Sequence, residues 1–156
     1  MDDRGASLTS GPVAQLLGRD HRRLDAILAE AKRFLAAGDL GRAAAKFAEF
    51  REGLERHIAV EEELLFPAFE RLTDGGGGGP THVMRVEHAE LRRLMAEIAA
   101  TLVRGGREGP TTPLAALTAR IYAHNGKEER ILYPAMDRLG EVAFPLAELA
   151  SRLGVS

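Results

Sequence analysis

The chain has 156 residues, a mass of 16.9 kDa, 45% hydrophobic and 28% charged residues, a net charge of −2 and a pI near 6.2. That balance suits one globular domain spanning residues 1–156 and excludes wholesale disorder, and it gives no electrostatic reason to expect nucleic acid or an anionic membrane as a partner. There is no cysteine, so disulfides, thiolate metal sites and a cysteine nucleophile are ruled out; no apolar run approaches the roughly 18 residues of a membrane span. Met1-Asp2-Asp3-Arg4 opens without a signal-peptide h-region, which leads us to expect a soluble, cytoplasmic protein.

The periodicity is helical almost throughout, with no alternating strand pattern. A first helix is predicted from Gly11–Pro12 to Ala37, capped by Ser10, with Pro12 in its first turn and Gly38 past its end. A second runs from Leu40 to Leu72. Gly75 to Gly79 and Pro80 cannot be helical, so residues 74–80 form a connector. A third helix runs from Thr81 to Arg104, a fourth from about Thr111–Pro113 to Leu139, and a short piece from Val142 to Leu153 closes the chain. Pro67 and Pro134 lie inside helices two and four and are expected to kink them.

The chain repeats itself with an offset of 67: His21 maps to His88, His57 to His124, Glu61 to Glu128, Phe66 to Tyr133 and Pro67 to Pro134. Two related helix pairs, residues 12–73 and 80–139, predict an all-α, antiparallel four-helix bundle with an internal two-fold pseudo-repeat.

Four histidines and two glutamates interrupt the apolar stripes. The stripes read Leu17, His21, Leu24, Leu28 on helix one and Leu54, His57, Glu61, Leu64, Ala68 on helix two. They read Met84, His88, Leu91, Met95 on helix three and Ile121, His124, Glu128, Ile131, Ala135 on helix four. Unpaired carboxylates in a core cost several kcal/mol or become protonated, and a shared cation resolves all six groups together. Histidine nitrogen and carboxylate oxygen suit iron, manganese or zinc. In His57-x-x-x-Glu61 and His124-x-x-x-Glu128 the two donors share a helix face. If both glutamates bridge two irons and each iron takes two histidines, a shared oxo or hydroxo group brings each to five donors, with about one position left for an exogenous ligand.

At these residues the sequence resembles the hemerythrin-like, HHE cation-binding family: Asp20-His21, His57-x-x-x-Glu61, Glu87-His88 and His124-x-x-x-Glu128, with Glu-Glu-Glu-Leu-Leu-Phe-Pro at 61–67 and Glu-Glu-Arg-Ile-Leu-Tyr-Pro at 128–134. The resemblance covers residues 12–139 and implies a bundle holding two non-haem iron ions, oxo- or hydroxo-bridged. His21 and His57 would serve one iron, His88 and His124 the other, and Glu61 and Glu128 would bridge. Met84 stands where oxygen-carrying hemerythrins have a fifth histidine, and HxxxE stands where they have HxxxxD. The set looks more like the subgroup linked to nitric oxide response and iron–sulfur cluster repair, whose members often carry a cysteine-bearing domain.

The expected function is therefore binding of, or reaction with, a small diatomic gas or oxidant: dioxygen, nitric oxide or peroxide. Alternatives are an iron- or oxygen-responsive sensor or interaction module, and a structural metal-binding bundle without turnover. His82 lies off the stripe and is read as a surface residue. Glu62, Glu63 and Glu129 are read as solvated, with support of the metal ligands from behind as the alternative, and Asp20 and Glu87 as capping or surface-pairing. Phe66, Met84 and Met95 are read as packing. Tyr133, five residues past Glu128, is read as packing and turned away from the ligand face.

Overall fold

The computed structural model describes residues 11–73, 79–105, 109–140 and 143–154, and all regular structure among them is helical. The elements are α1 (Pro12–Ala36), α2 (Leu40–Val60), a π-helical segment (Glu61–Leu65), α3 (Phe66–Thr73), α4 (Pro80–Arg104), α5 (Thr111–Lys127), a second π-helical segment (Glu128–Leu132), α6 (Tyr133–Arg138) and α7 (Leu146–Leu153). The predicted helix ends agree to within one or two residues, except that the last helix starts at Leu146; Pro80, read as part of the connector, is the first residue of α4, where its missing N–H costs no helical bond. Ser10 and residues 74–78 of the connector lie outside the described residues. The amides of Val13 and Ala14, orphaned at the start of α1, instead donate to Asp137 of α6 at 2.8 and 3.0 Å. Gly38 and Gly105 follow α1 and α4 at φ of +80° and +78°, a left-handed conformation that glycine adopts without a Cβ penalty.

Helix α1 packs along α2, α4 along α5, α2 against α4, and α7 against α2 and α1. Two apolar clusters fill the interior. One contains Leu24, Phe47, Phe50, Leu54, Ile58, Leu91, Met95, Ile98, Leu117 and Ile121. The other contains Val13, Leu17, Val60, Leu65, Phe66, Met84, Leu132, Tyr133, Leu149 and Leu153. Along α1 and α4 the chain passes from the second cluster to the first. Along α2, and along α5 with the π segment and α6 that continue it, the chain passes from the first to the second. His21, His88, His124 and Glu128 lie between the clusters in sequence, His57 and Glu61 flank Ile58 of the first and Val60 of the second, and all six are buried.

The two prolines act through π turns. Proline has no N–H, and its ring collides with the carbonyl four residues back. Here the amide just before each proline reaches five residues back: Phe66 N–H donates to Glu61 O, and Tyr133 N–H to Glu128 O. Each turn takes in one extra residue, and the buried face advances by one position. Leu65 and Leu132 are buried where Leu64 and Ile131 were expected, and Ile131 is 63% exposed.

Candidate metal centre

Helix α1 contributes His21, α2 contributes His57, α4 contributes His88 and α5 contributes His124, while each π segment opens on its glutamate. The histidine rings form two pairs: His21 and His57 have centroids 4.6 Å apart, and His88 and His124 4.8 Å. Both glutamates lie between the pairs. Glu61 Oε1 is 3.1 Å from His88 Nε2 and its Oε2 is 3.6 Å from His57 Nε2. Glu128 Oε1 is 3.1 Å from His21 Nε2, and its Oε2 is 3.2 Å from His124 Nε2. All six residues predicted from the sequence thus come together, and each carboxylate turns one oxygen to each histidine pair.

The far nitrogen of every imidazole is held by a further carboxylate. His21 Nδ1–H donates to Glu129 at 2.6 Å, His57 Nδ1–H to Asp20 at 2.7 Å, His88 Nδ1–H to Glu62 at 2.8 Å and His124 Nδ1–H to Glu87 at 2.8 Å. A carboxylate only accepts, so each bond fixes a proton on Nδ1 and turns Nε2 toward the centre. The pattern obeys the internal repeat: Asp20 and Glu87 hold the second histidine of their own half, and Glu62 and Glu129 reach the first histidine of the opposite half. Basic residues back three of them, with Arg23 on Asp20, Arg92 on Glu62 and Lys127 on Glu87.

For Glu62 and Glu129 the alternative reading, support of the histidines from behind, is the one the geometry shows, and for Asp20 and Glu87, which do pair with Arg23 and Lys127, the reading is corrected by their bonds to His57 and His124. Asp20 is 2% exposed and sits between α1 and α2, where a stripe drawn on a single helix cannot show a partner on the next one. Glu129 does face solvent, as read, yet its carboxylate also reaches inward to His21. Glu63 and His82 are exposed, Glu63 pairing with Arg152 of α7. Met84 and Met95 pack in the two clusters, and Phe66 stacks on His88.

Tyr133 is the residue that sequence reasoning misplaced. In an α-helix a residue five positions on is rotated about 140° from its reference; the π turn returns it to the same face. Its fully buried hydroxyl lies 2.5 Å from Glu61 Oε2 and 2.9 Å from Glu128 Oε1. It is also 3.3 Å from the Nε2 atoms of both His21 and His57. The available signal was the proline six residues after each glutamate, Pro67 and Pro134.

The electrostatics of the metal-free cluster are strained. Burial works against a charged imidazole at His57, but Glu61 and Asp20 outweigh it and push the pKa up to about 10. At His88 burial is likewise overcome by Glu128, Glu61 and Glu62, to about 11. Burial disfavours the Glu128 anion, yet His124, His21 and His88 hold its pKa well below the usual value. Burial and the two carboxylates drive the Tyr133 phenol up. Glu61 Oε1, His88 Nε2 and Glu128 Oε2 are buried with no hydrogen-bond partner. Such orphans are rare in folded proteins, because each costs about 1–3 kcal/mol.

These orphaned atoms converge. The donor atoms of Glu61, His88, His124 and Glu128 all lie within 4.8 Å of one another, and those of His21, His57 and Glu128 form a second such group. The chemistry of the donors and the orphaned atoms both fit bound cations. Comparison with protein families matches residues 13–147 to the hemerythrin HHE cation binding domain. Comparison with curated proteins and with solved structures returns no match.

Proposed function

The chain belongs to the hemerythrin HHE cation-binding domain family, and from that premise and the buried His/Glu cluster we propose that it is a non-haem di-iron protein that binds or reacts with dioxygen, nitric oxide or peroxide. The fold belongs to the same proposal: α1, α2, α4 and α5 act as an antiparallel four-helix bundle, supported by the alternating order in which they traverse the two apolar clusters. His21 and His57 would hold one iron, His88 and His124 the other, and Glu61 and Glu128 would give one oxygen to each. The observation that carries this reading is that Glu61 Oε1, His88 Nε2 and Glu128 Oε2 are buried without a hydrogen bond in a group whose donor atoms lie within 4.8 Å of one another.

Iron in such a site supplies a Lewis-acidic, redox-active position for a small ligand. The chain itself does the rest. Asp20, Glu62, Glu87 and Glu129 orient the imidazoles and fix their tautomers. The apolar clusters on either side restrict water, which strengthens every charge interaction at the centre. A cavity of about 180 Å³ between α4 and α5, lined by Glu87, Leu91, His124 and Lys127, brings solvent to the edge of His124.

The test is metal analysis of protein from iron-supplemented cells, followed by anaerobic titration with dioxygen, nitric oxide and peroxide. About two irons per chain and a stoichiometric optical change with one of these ligands are expected. Iron bound without any spectral response would leave a structural metal site and remove the gas or oxidant function. Manganese or zinc retained in preference to iron would reassign the metal.

A further inference from the structure

We propose that Tyr133 is itself a metal ligand, so that the two metal positions are chemically different. The inference rests on the di-iron reading above. Within each glutamate's π turn, the fifth residue swings back over the centre. In the first half that residue is Phe66, whose ring stacks on His88 with centroids 5.7 Å apart and planes at 10°. In the second half it is Tyr133, whose oxygen lies within 3.3 Å of two histidine nitrogens and two carboxylate oxygens. The pseudo-two-fold thus puts a hydrocarbon at one end and an oxygen donor at the other.

A hydrogen-bonding role alone does not account for this placement. A phenol has one proton to donate. Given to Glu61 Oε2 at 2.5 Å, it leaves the oxygen's lone pairs against the Glu128 carboxylate at 2.9 Å. A cation among the phenol, the two carboxylates and the two imidazoles turns that repulsion into coordination. The tight donor group on this side has three members, His21, His57 and Glu128, against four on the other; the phenol raises it to four. Tyrosine is an established type of iron ligand.

On ligation the phenolic O–H bond breaks, the proton leaves to solvent, and the oxygen's electron pair is given to the metal; no electron changes hands. With two imidazoles, one oxygen from each glutamate and the phenolate, the His21/His57 ion has five protein donors. The His88/His124 ion has four. The His88/His124 ion is then the more open of the two, and an exogenous ligand is directed there.

The test compares wild type with Tyr133→Phe, a variant that installs the residue the other repeat already uses. Both are loaded with ferrous iron, oxidised in air, assayed for iron, and examined by visible absorption and resonance Raman spectroscopy. The expected result is an intense visible band in wild type whose excitation enhances phenolate ring modes, with both lost in Tyr133→Phe. Wild type holding iron without phenolate modes overturns the proposal, reduces Tyr133 to a hydrogen-bond donor and leaves the di-iron reading standing. Wild type that takes up no iron overturns both. The wild-type Raman spectrum decides even if the variant loses iron.

Discussion

At the residue scale, what distinguishes this interior is that each imidazole is gripped from behind. A histidine read from sequence as a ligand is only half specified; the other half is the carboxylate on Nδ1, supplied by Asp20, Glu62, Glu87 and Glu129. Asp20→Asn and Glu129→Ala are expected to weaken metal affinity roughly 10- to 100-fold without emptying the site, measured by competition with a chelator; unchanged affinity would show that the imidazoles orient themselves. The same contacts set a pH dependence. In the metal-free protein His57 and His88 are raised to about 10 and about 11. Groups whose folded pKa is raised stabilise fully below the unfolded value near 6.5, and that stabilisation is lost as pH climbs through the folded value. Metal-free protein should therefore unfold at lower urea concentration at about pH 10 than at about pH 6. Metal uptake at neutral pH should release protons, and affinity should rise with pH, since the cation displaces protons from the same nitrogens. A midpoint that rises between the two pH values would contradict the charged cluster.

At the element scale, the π segments decide the site. They shift the buried face by one residue in both halves, which is why helix positions up to Glu61 and Glu128 were legible from the 3.6-residue period, whereas beyond them Ala68 is buried as read but Leu65 and Leu132 replace Leu64 and Ile131. Ile131, a stripe position by α-helical arithmetic, is exposed, and Leu132 is buried in its place. Ile131→Lys is accordingly expected to change stability by no more than about 0.5 kcal/mol, and Leu132→Ala to destabilise by about 2–5 kcal/mol. Urea denaturation of the two variants checks this, and the reverse ranking would mean that the helix continues in α register past Glu128. Tyr133 fell outside the sequence-derived ligand face for the same reason, although paired prolines at equal distance from paired glutamates carried the information.

At the scale of the whole molecule, the fold was legible because its signals were redundant: glycine and proline at the helix ends, apolar stripes on four helices, and a repeat that placed the same three donors twice over. The carboxylates behind the histidines were not, because they act across helix boundaries, and which helix lies beside which is a property of packing rather than of any one stripe. The two apolar clusters and the polar layer between them form one system. The clusters stabilise the bundle, and in the metal-free layer the desolvation cost of the buried glutamates and histidines offsets much of their mutual attraction. Bound metal should therefore raise thermal stability in proportion to its concentration over its dissociation constant, and Leu149→Ala in α7, which removes a fully buried side chain from the second cluster, should destabilise by about 2–5 kcal/mol.

The most direct measurement is the amount of iron bound per chain after anaerobic loading and desalting, in wild type and in Glu61→Ala and Glu128→Ala. We predict about two ions in wild type and clearly fewer in each variant, since either loss removes an oxygen from both positions. A wild type that retains no transition metal, or variants that bind as much as wild type, would contradict a metal centre built from these buried residues.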